Sequence, residues 1–327
     1  MNILITGIGG FVGGHLLAHL NQTPDVVCHG TVISEAEKRP ALVAMCPRLW
    51  TIDLRDPKAV TEVIATVKPD RVFHLAGQAF VPASFDDPWD TLENNIRGTL
   101  NILQAVLQLK LQTRILVITS ADIYGPVQPD QLPLREDRMF LPSSPYSVSK
   151  IAQDMLAQQY AISHNMFTVR ARPFNHIGPG QNNRFAVPNW ASQIAEIEAG
   201  QREPFIAVGT LTAARDFTDV RDVVKAYDLM LTNGSGGSVY NVCSGKAFSM
   251  QSILDTLLSM SKVRIEIRVD KDRLRPVETP ILVGDYSRLR EQTGWQPHLS
   301  IEQSLRDVLD EWRQRVSSNA NIPTPRQ

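Results

Sequence analysis

The segment NILITGIGGFVGGHLLAHL (residues 2–20) changes its physical character at Gly7. Residues 2–6 form a short apolar run rich in β-branched side chains, which reads as a buried strand. From Phe11 onward the apolar residues return every three or four positions, which reads as a helix. Gly7, Gly10 and Gly13 stand at the junction. Lacking a side chain, they permit a tight turn, a close approach of backbone N–H groups to a ligand, and close packing of helix on strand. A pyrophosphate is the ligand this geometry suits, because a helix N-terminus adds a favourable field for an anion.

The same alternation continues along the chain. VVCHGTVI (26–33), RVFHLA (71–76), RILVITS (114–120) and FTVRARPFN (167–175) read as strands, and NNIRGTLNILQAVLQL (94–109) as a helix between two of them. Strands alternating with helices predict right-handed βαβ units, hence an α/β fold with a Rossmann-type doubly wound parallel sheet. Ligands then lie at the carboxyl ends of the strands. After about residue 173 the rhythm breaks at PFNHIGPGQ. The expected organisation is a dinucleotide-binding domain over 1–172, a smaller substrate-binding domain over 173–315 from which 219–243 returns to the large sheet, and a mobile tail over 316–327.

Composition narrows the function. A chain of 327 residues with 43% hydrophobic content and a net charge of −1 has a large core and no global electrostatic attraction for nucleic acid or membrane. Cys28, Cys46 and Cys243 are scattered and odd in number, without metal-ligand spacing, so neither a disulfide framework nor a metal site is expected and a reducing cytoplasm suits the chain. No run reaches the roughly 18–20 apolar residues that a spanning helix needs. The N-terminus lacks the basic region of a signal peptide. A soluble enzyme acting on a small molecule is the class that remains.

The second strand ends HGTVI with no acid before Glu35, where an NAD-selective site usually presents a carboxylate to the ribose. A 2′-phosphate would meet little repulsion there and Lys38 or Arg39 could approach it, which favours NADP(H) while NAD(H) remains open. Asp53, in TIDLRD, reads either as an acceptor for the adenine amino group or as a turn or cap acid.

PSSPYSVSK (142–150) sets Tyr146 and Lys150 four residues apart, on one face of a helix that Ser144 caps and Pro145 begins. A phenol with a reference pKa near 10 becomes a usable acid or base if the ammonium favours its ionised form.

GxxGxxG, the strand-terminal Ser120 and YxxxK occur here in the order found in the extended short-chain dehydrogenase/reductase family acting on sugar nucleotides, which this chain resembles over about residues 1–315. The resemblance implies that Tyr146 exchanges a proton with a sugar oxygen, that Ser120 hydrogen-bonds the same oxygen, and that Lys150 also bonds the nicotinamide ribose. It places Asn95 of NIRGT near the reacting atoms and HLAG (74–77) along the cofactor. Where the 4,6-dehydratases of the family carry Thr, then Asp or Ser, then Glu, this sequence has Ser120, Ala121 and Asp122. Ala121 cannot carry a proton and Asp122 is one methylene short, so elimination of water is disfavoured while redox chemistry survives.

RPFNHIGPGQ (172–181) and LRPVETPILVGDYSRLREQTGW (274–295) are similar to the GDP-4-keto-6-deoxy-mannose reductases of that family. This implies a GDP-sugar substrate, with Asn175 on its phosphate or sugar, Arg215 and Arg275 on the diphosphate, and Glu278 on the nucleotide ribose. The alternative for Asn175 is a buried amide satisfying a loop backbone, Arg184 reads as a pocket or a solvated residue, and His176 as structural. The family also implies a homodimer built on a four-helix bundle. A 4-epimerase, a 4,6-dehydratase and a noncatalytic dinucleotide-binding protein are the rival readings.

Overall fold

The computed structural model describes residues 1–270 and 279–320, with the side chains of 319 and 320 excepted. Six strands of the large sheet come first in the chain: β1 (Asn2–Thr6), β2 (Val27–Val32), β3 (Leu49–Thr51), β4 (Arg71–His74), β5 (Arg114–Ile118) and β6 (Thr168–Pro173). Seven follow: β7 (Asn175–Ile177), β8 (Phe205–Val208), β9 (Ala214–Asp219), β10 (Val239–Val242), β11 (Ala247–Ser249), β12 (Glu266–Val269) and β13 (Ile281–Leu282). The helices are α1 (Phe11–Leu20), α2 (Pro40–Met45), α3 (Pro57–Val67), α4 (Val81–Asp86), α5 (Pro88–Gln108), α6 (Pro145–His164), α7 (Ala186–Glu198), α8 (Val220–Asn233), α9 (Met250–Ser259), α10 (Ser287–Thr293) and α11 (Ile301–Ala320).

The large sheet runs β10-β6-β5-β4-β1-β2-β3, and all its pairings are parallel. Strand order reverses between β1 and β4, which opens a crevice at their carboxyl ends. Both faces are covered, and β1 shows how. Ile3 and Ile5 pack with Leu16, Leu17, Val223 and Tyr227 of α1 and α8, while Leu4 points to the opposite cluster with Val63, Ile102 and Ile115. Alternate side chains of one strand thus enter two cores, and the sequence reads as an unbroken apolar run.

The chain leaves this layer after β6 and builds a second core from α7, α9 and α11, where Trp190, Ile194, Leu254, Leu257, Leu305 and Leu309 meet Ile206 and Phe217. Between visits it returns: α8 lies against α1, and β10 pairs with β6 through Val239–Arg170 to Val242–Pro173. The expected tail begins too early at 316. α11 runs on to Ala320, because Leu305, Val308, Leu309, Trp312 and Val316 keep helical spacing and Val316 is buried. Residues 321–327 lie outside the described residues.

The glycine turn tolerates no added carbon where it matters. Gly7 has φ +68°, and a Cβ there would sit 2.9 Å from Ala76 Cα; at Gly13 it would sit 2.6 Å from the Gly7 carbonyl oxygen. Gly14, next in α1, has nothing within 4 Å. Gly13→Ala should therefore lower stability by about 1–3 kcal/mol and weaken dinucleotide binding. Gly14→Ala should raise stability by up to about 1 kcal/mol. Denaturant unfolding and cofactor titration of the two variants check this pair of opposite signs.

Candidate active site

The crevice begins at the end of β1. Gly10 precedes α1 without a side-chain cap, so N–H groups of the first turn remain available to an anion. Across the crevice Ala76 backs directly onto Gly7, and its N–H donates to Thr6 Oγ1 at 3.2 Å. Arg39 is exposed and donates to the Gly9 carbonyl at 2.7 Å, which holds a cation beside the glycine turn. Lys38 is paired with Glu35 at 2.8 Å, and Glu35 also accepts from Thr51, so this acid is engaged on its own segment. Asp53 chelates Arg55 through Nε and Nη2 at 2.9 and 2.7 Å. Its carboxylate is held below the ordinary range by that guanidinium.

The reacting groups stand at the ends of β5 and α6. Ser120 terminates the segment after β5 and starts a tight turn over Ala121–Tyr124, its Oγ accepting from Asp122 N at 3.1 Å. α6 begins with a reciprocal cap: Ser144 Oγ accepts from Ser147 N, and Ser147 Oγ accepts from Ser144 N, both at 3.0 Å, with Pro145 in the first turn. The cap fixes the first turn of the helix on which Tyr146 and Lys150 share one buried face. Lys150 Nζ donates to the Ile118 carbonyl at 3.0 Å and lies 5.8 Å from the Tyr146 ring centroid.

Burial decides the proton affinities here. The phenol of Tyr146 is pushed well above its ordinary value, first by burial and then by the nearby Asp122 carboxyl, while hydrogen bonding from Ser120 pulls it back. The amine of Lys150 is pushed down to about 8 by burial. The sequence argument that the ammonium would make the phenol more acidic is thus corrected for the free protein. The ammonium is turned toward a backbone carbonyl, and desolvation dominates the phenol. Tyr146 rests as a proton donor. Asp122 is only half-buried by area, yet its carboxyl is raised by the enclosure of the cleft and lowered by Arg215.

Behind these groups lies a buried network that joins Asn95 and the HLAG segment, both placed here by the family resemblance, to Thr99, Gln153 and Ser149. Thr99 Oγ1 donates to the Asn95 carbonyl at 2.8 Å, so it accepts from Gln153 Nε2 at 2.6 Å and from His74 Nε2 at 2.9 Å. His74 therefore carries its proton on Nε2, and Nδ1 accepts from Thr6 Oγ1 at 2.8 Å. Burial and the Lys150 charge lower this imidazole to about 3, so it stays neutral. Asn95 accepts from Gln78 N at 2.8 Å and donates to Ser149 Oγ at 2.8 Å, and Ser149 Oγ donates to the Tyr146 carbonyl at 2.7 Å. A Cβ on Gly77 would lie 2.8 Å from Asn95 Oδ1 and 3.7 Å from Lys150 Nζ, so Gly77, Asn95 and Lys150 converge.

The residues expected around the substrate divide. Arg215, on β9, is half-buried, donates to the carbonyls of Ala214 and Thr279 at 2.8 and 2.9 Å, and faces Asp122. Its charge acts on Asp122, and that of Asp122 acts on Tyr146. Asn175 is exposed on β7, so the alternative of a buried amide satisfying a loop is wrong: pairing of β7 with β9 already satisfies that backbone. Arg184 is exposed at the entry to α7. His176 stacks on Phe11 at 6.1 Å, with Nδ1 3.2 Å from the Phe174 carbonyl, and burial lowers its proton affinity. Arg275 and Glu278 lie outside the described residues. No cluster of metal-ligating side chains occurs among the described residues.

The profile of the family described as GDP-mannose 4,6 dehydratase matches residues 4–308. The chain belongs to this family. Within it, the chain is 38% identical to the GDP-6-deoxy-D-mannose reductase of Pseudomonas aeruginosa, over 96% of this chain and 98% of that one. The solved structure of RMD from Pseudomonas aeruginosa complexed with NADPH superposes with a TM-score of 0.85 at 37% identity, covering 96% and 99% of the two chains. A GDP-6-deoxy-D-talose 4-dehydrogenase from Aggregatibacter actinomycetemcomitans is 29% identical over 95% of this chain and 96% of its own. The family's name describes a dehydratase, but its members include reductases, and the fold and nicotinamide chemistry are common to them.

The proton affinities give a direct test. kcat/KM should fall as pH rises through about 8, where Lys150 loses its charge while Tyr146 remains protonated. Lys150→Met should lose most activity and this alkaline limb together. Tyr146→Phe should keep dinucleotide affinity and lose most turnover.

Proposed function

We propose that this protein reduces the C4 keto group of GDP-4-keto-6-deoxy-D-mannose with a reduced nicotinamide dinucleotide, yielding a GDP-6-deoxyhexose such as GDP-D-rhamnose. The observation that carries the reading is a buried, protonated Tyr146 flanked by Ser120 and Lys150, with Ala121 where elimination would need a polar group. The glycine turn supports the cofactor, because Gly7 and Gly13 allow a turn so tight that an added Cβ would meet Ala76 or the Gly7 carbonyl, and the uncapped first turn of α1 leaves N–H groups for a pyrophosphate.

When bound, the reduced nicotinamide supplies hydride to the sugar C4. Tyr146 transfers its phenolic proton to the C4 oxygen as that oxygen gains charge, and Ser120 donates a hydrogen bond to the same oxygen. Lys150, charged below about pH 8, stabilises the phenolate left behind. Arg215 serves the GDP-sugar at its charged end, together with Arg275, Glu278, Asn175 and Arg184. Ala121 is buried and apolar, and Asp122 is opposed by Arg215, so the pair lacks the groups that expel water from C6.

For the cofactor, Arg39 beside the glycine turn and the engagement of Glu35 by Lys38 favour NADPH over NADH. The three cysteines are buried and free, which fits a reducing, cytoplasmic setting. Among the described residues no helix is long and apolar enough to cross a membrane. The outer face of α5 and α6 exposes Trp89, Val148, Met155 and Ile162, the last three at seven-residue spacing, as a homodimer through a four-helix bundle requires.

Supplied with GDP-4-keto-6-deoxymannose, the protein should oxidise one NADPH per sugar and give a product with a C4 hydroxyl by NMR. Conversion of GDP-mannose to a keto sugar, or interconversion of C4 epimers without net cofactor oxidation, would overturn the reading. Arg39→Ala should raise the KM for NADPH and leave that for NADH unchanged. Ile162→Glu should convert a dimer to a monomer by light scattering.

A further inference from the structure

The turn that carries Ser120 is fixed at its far end by a group no part of the reaction uses. Tyr124 closes the turn, is fully buried, and donates its hydroxyl to Asn241 Oδ1 at 2.7 Å while accepting from Arg172 Nη1 at 3.1 Å. Arg172 is itself clamped: Nε and Nη2 donate to the two Asp154 oxygens at 2.8 and 3.1 Å, and Nη1 also donates to the Glu136 carbonyl at 2.8 Å. Asp154 takes a further bond from Arg170 Nη1 at 2.9 Å.

Asp154 lies on α6 four residues beyond Lys150 and eight beyond Tyr146, so all three share the face turned toward the sheet. The helix of the proton donor and the turn of Ser120 are thus joined through one buried guanidinium. That guanidinium cannot shift without leaving charge unpaired in the core, which makes it a rigid post. The near end of the turn is held by Thr119, whose Oγ1 donates to Asp154 at 3.4 Å and to the Ala171 carbonyl at 2.9 Å, while the Ser120 Oγ itself accepts from the Asp122 N–H of its own turn and hydrogen-bonds the Tyr146 phenol.

We propose that Tyr124 is a positioning residue: its hydroxyl, held by the Arg172–Asp154 pair, sets Ser120 at hydrogen-bonding distance from the Tyr146 phenol. The inference rests on the reductase reading for its rate consequences and on geometry alone for the placement. Loss of the hydroxyl removes the tie at the far end of the turn and leaves the bonds of Thr119 to Asp154 and of the Ile123 carbonyl to Leu141 N, so Ser120 drifts from the position in which it serves both the phenol and the sugar oxygen. Tyr124→Phe removes one oxygen from a ring that stays packed against Phe174 and its neighbours, so the variant folds.

A double-mutant cycle of Tyr124→Phe and Ser120→Ala, with NADPH and GDP-4-keto-6-deoxymannose as substrates, separates positioning from packing. Tyr124→Phe alone should lower kcat about 10-fold, since a misplacement near 1 Å costs up to about 100-fold, with the KM for NADPH unchanged. In the Ser120→Ala background the same change should cost less than about twofold, because the group it acts through is gone. An equal loss in both backgrounds, or no loss in either, overturns the proposal. If the wild-type protein turns over no keto sugar, the reductase reading fails and crystal structures of wild type and Tyr124→Phe decide the placement. A Ser120 Oγ displaced from the Tyr146 phenol in the variant upholds it, and an unmoved Oγ overturns it.

Discussion

Desolvation of the Tyr146 phenol is the interaction on which the rest of this site depends. A phenol brought out of water holds its proton more tightly, and the neighbouring Asp122 carboxyl strengthens that hold. The same burial acts with opposite sign on Lys150, whose amine is lowered to about 8. One enclosure therefore prepares a proton donor and a cation that is ready to receive its conjugate base. Proton transfer becomes favourable only when a substrate oxygen gains charge beside them. Such a site stabilises the reacting state more than the resting one.

The enclosure costs buried polar groups, and the fold accommodates them by pairing. His74 stays neutral between two threonine hydroxyls and so adds no charge beside Lys150. Asp154 lies between Arg170 and Arg172 and fills both its oxygens. These pairs connect β1, β4, α5 and α6 in one case and α6, β6 and the Ser120 turn in the other. Catalytic groups from distant parts of the chain are held by elements that share hydrogen bonds, which makes their spacing resistant to local motion.

The fold was legible because its determinants are local. The change from strand to helix periodicity at Gly7 and the repeated βα rhythm specify a parallel sheet, and the cap at Ser144 marks where α6 begins. The acid and base residues were legible for the same reason, as Tyr146 and Lys150 need only helical spacing to meet. The proton affinities were not, because they depend on how much water is excluded by segments far apart in sequence. The Asp154 cluster left a readable trace all the same. Arg170 and Arg172 alternate within TVRARP, a run otherwise suited to a buried strand, and two arginines on one face of such a strand demand a buried anion. Asp154 lies one turn past Lys150. His74 and Thr99 lie within HLAG and NIRGT, the motifs the resemblance placed by the cofactor and the reacting atoms, but their bond to each other could not be read there, since a histidine and a threonine are ordinary at the end of a strand and in a helix. The last turn of α11 was lost to the polar look of residues 317–320, although Val316 keeps the helical register of the apolar face.

The central claim is that Tyr146 rests as a neutral phenol and gives up its proton only to the substrate. Tyrosine carrying a 13Cζ label, titrated by NMR between about pH 6 and pH 10 around the ordinary phenol value and assigned with Tyr146→Phe, reads this directly. The account predicts that the Tyr146 resonance keeps the phenol position across that range while Lys150 titrates. A shift to the phenolate position below about pH 8 would contradict it.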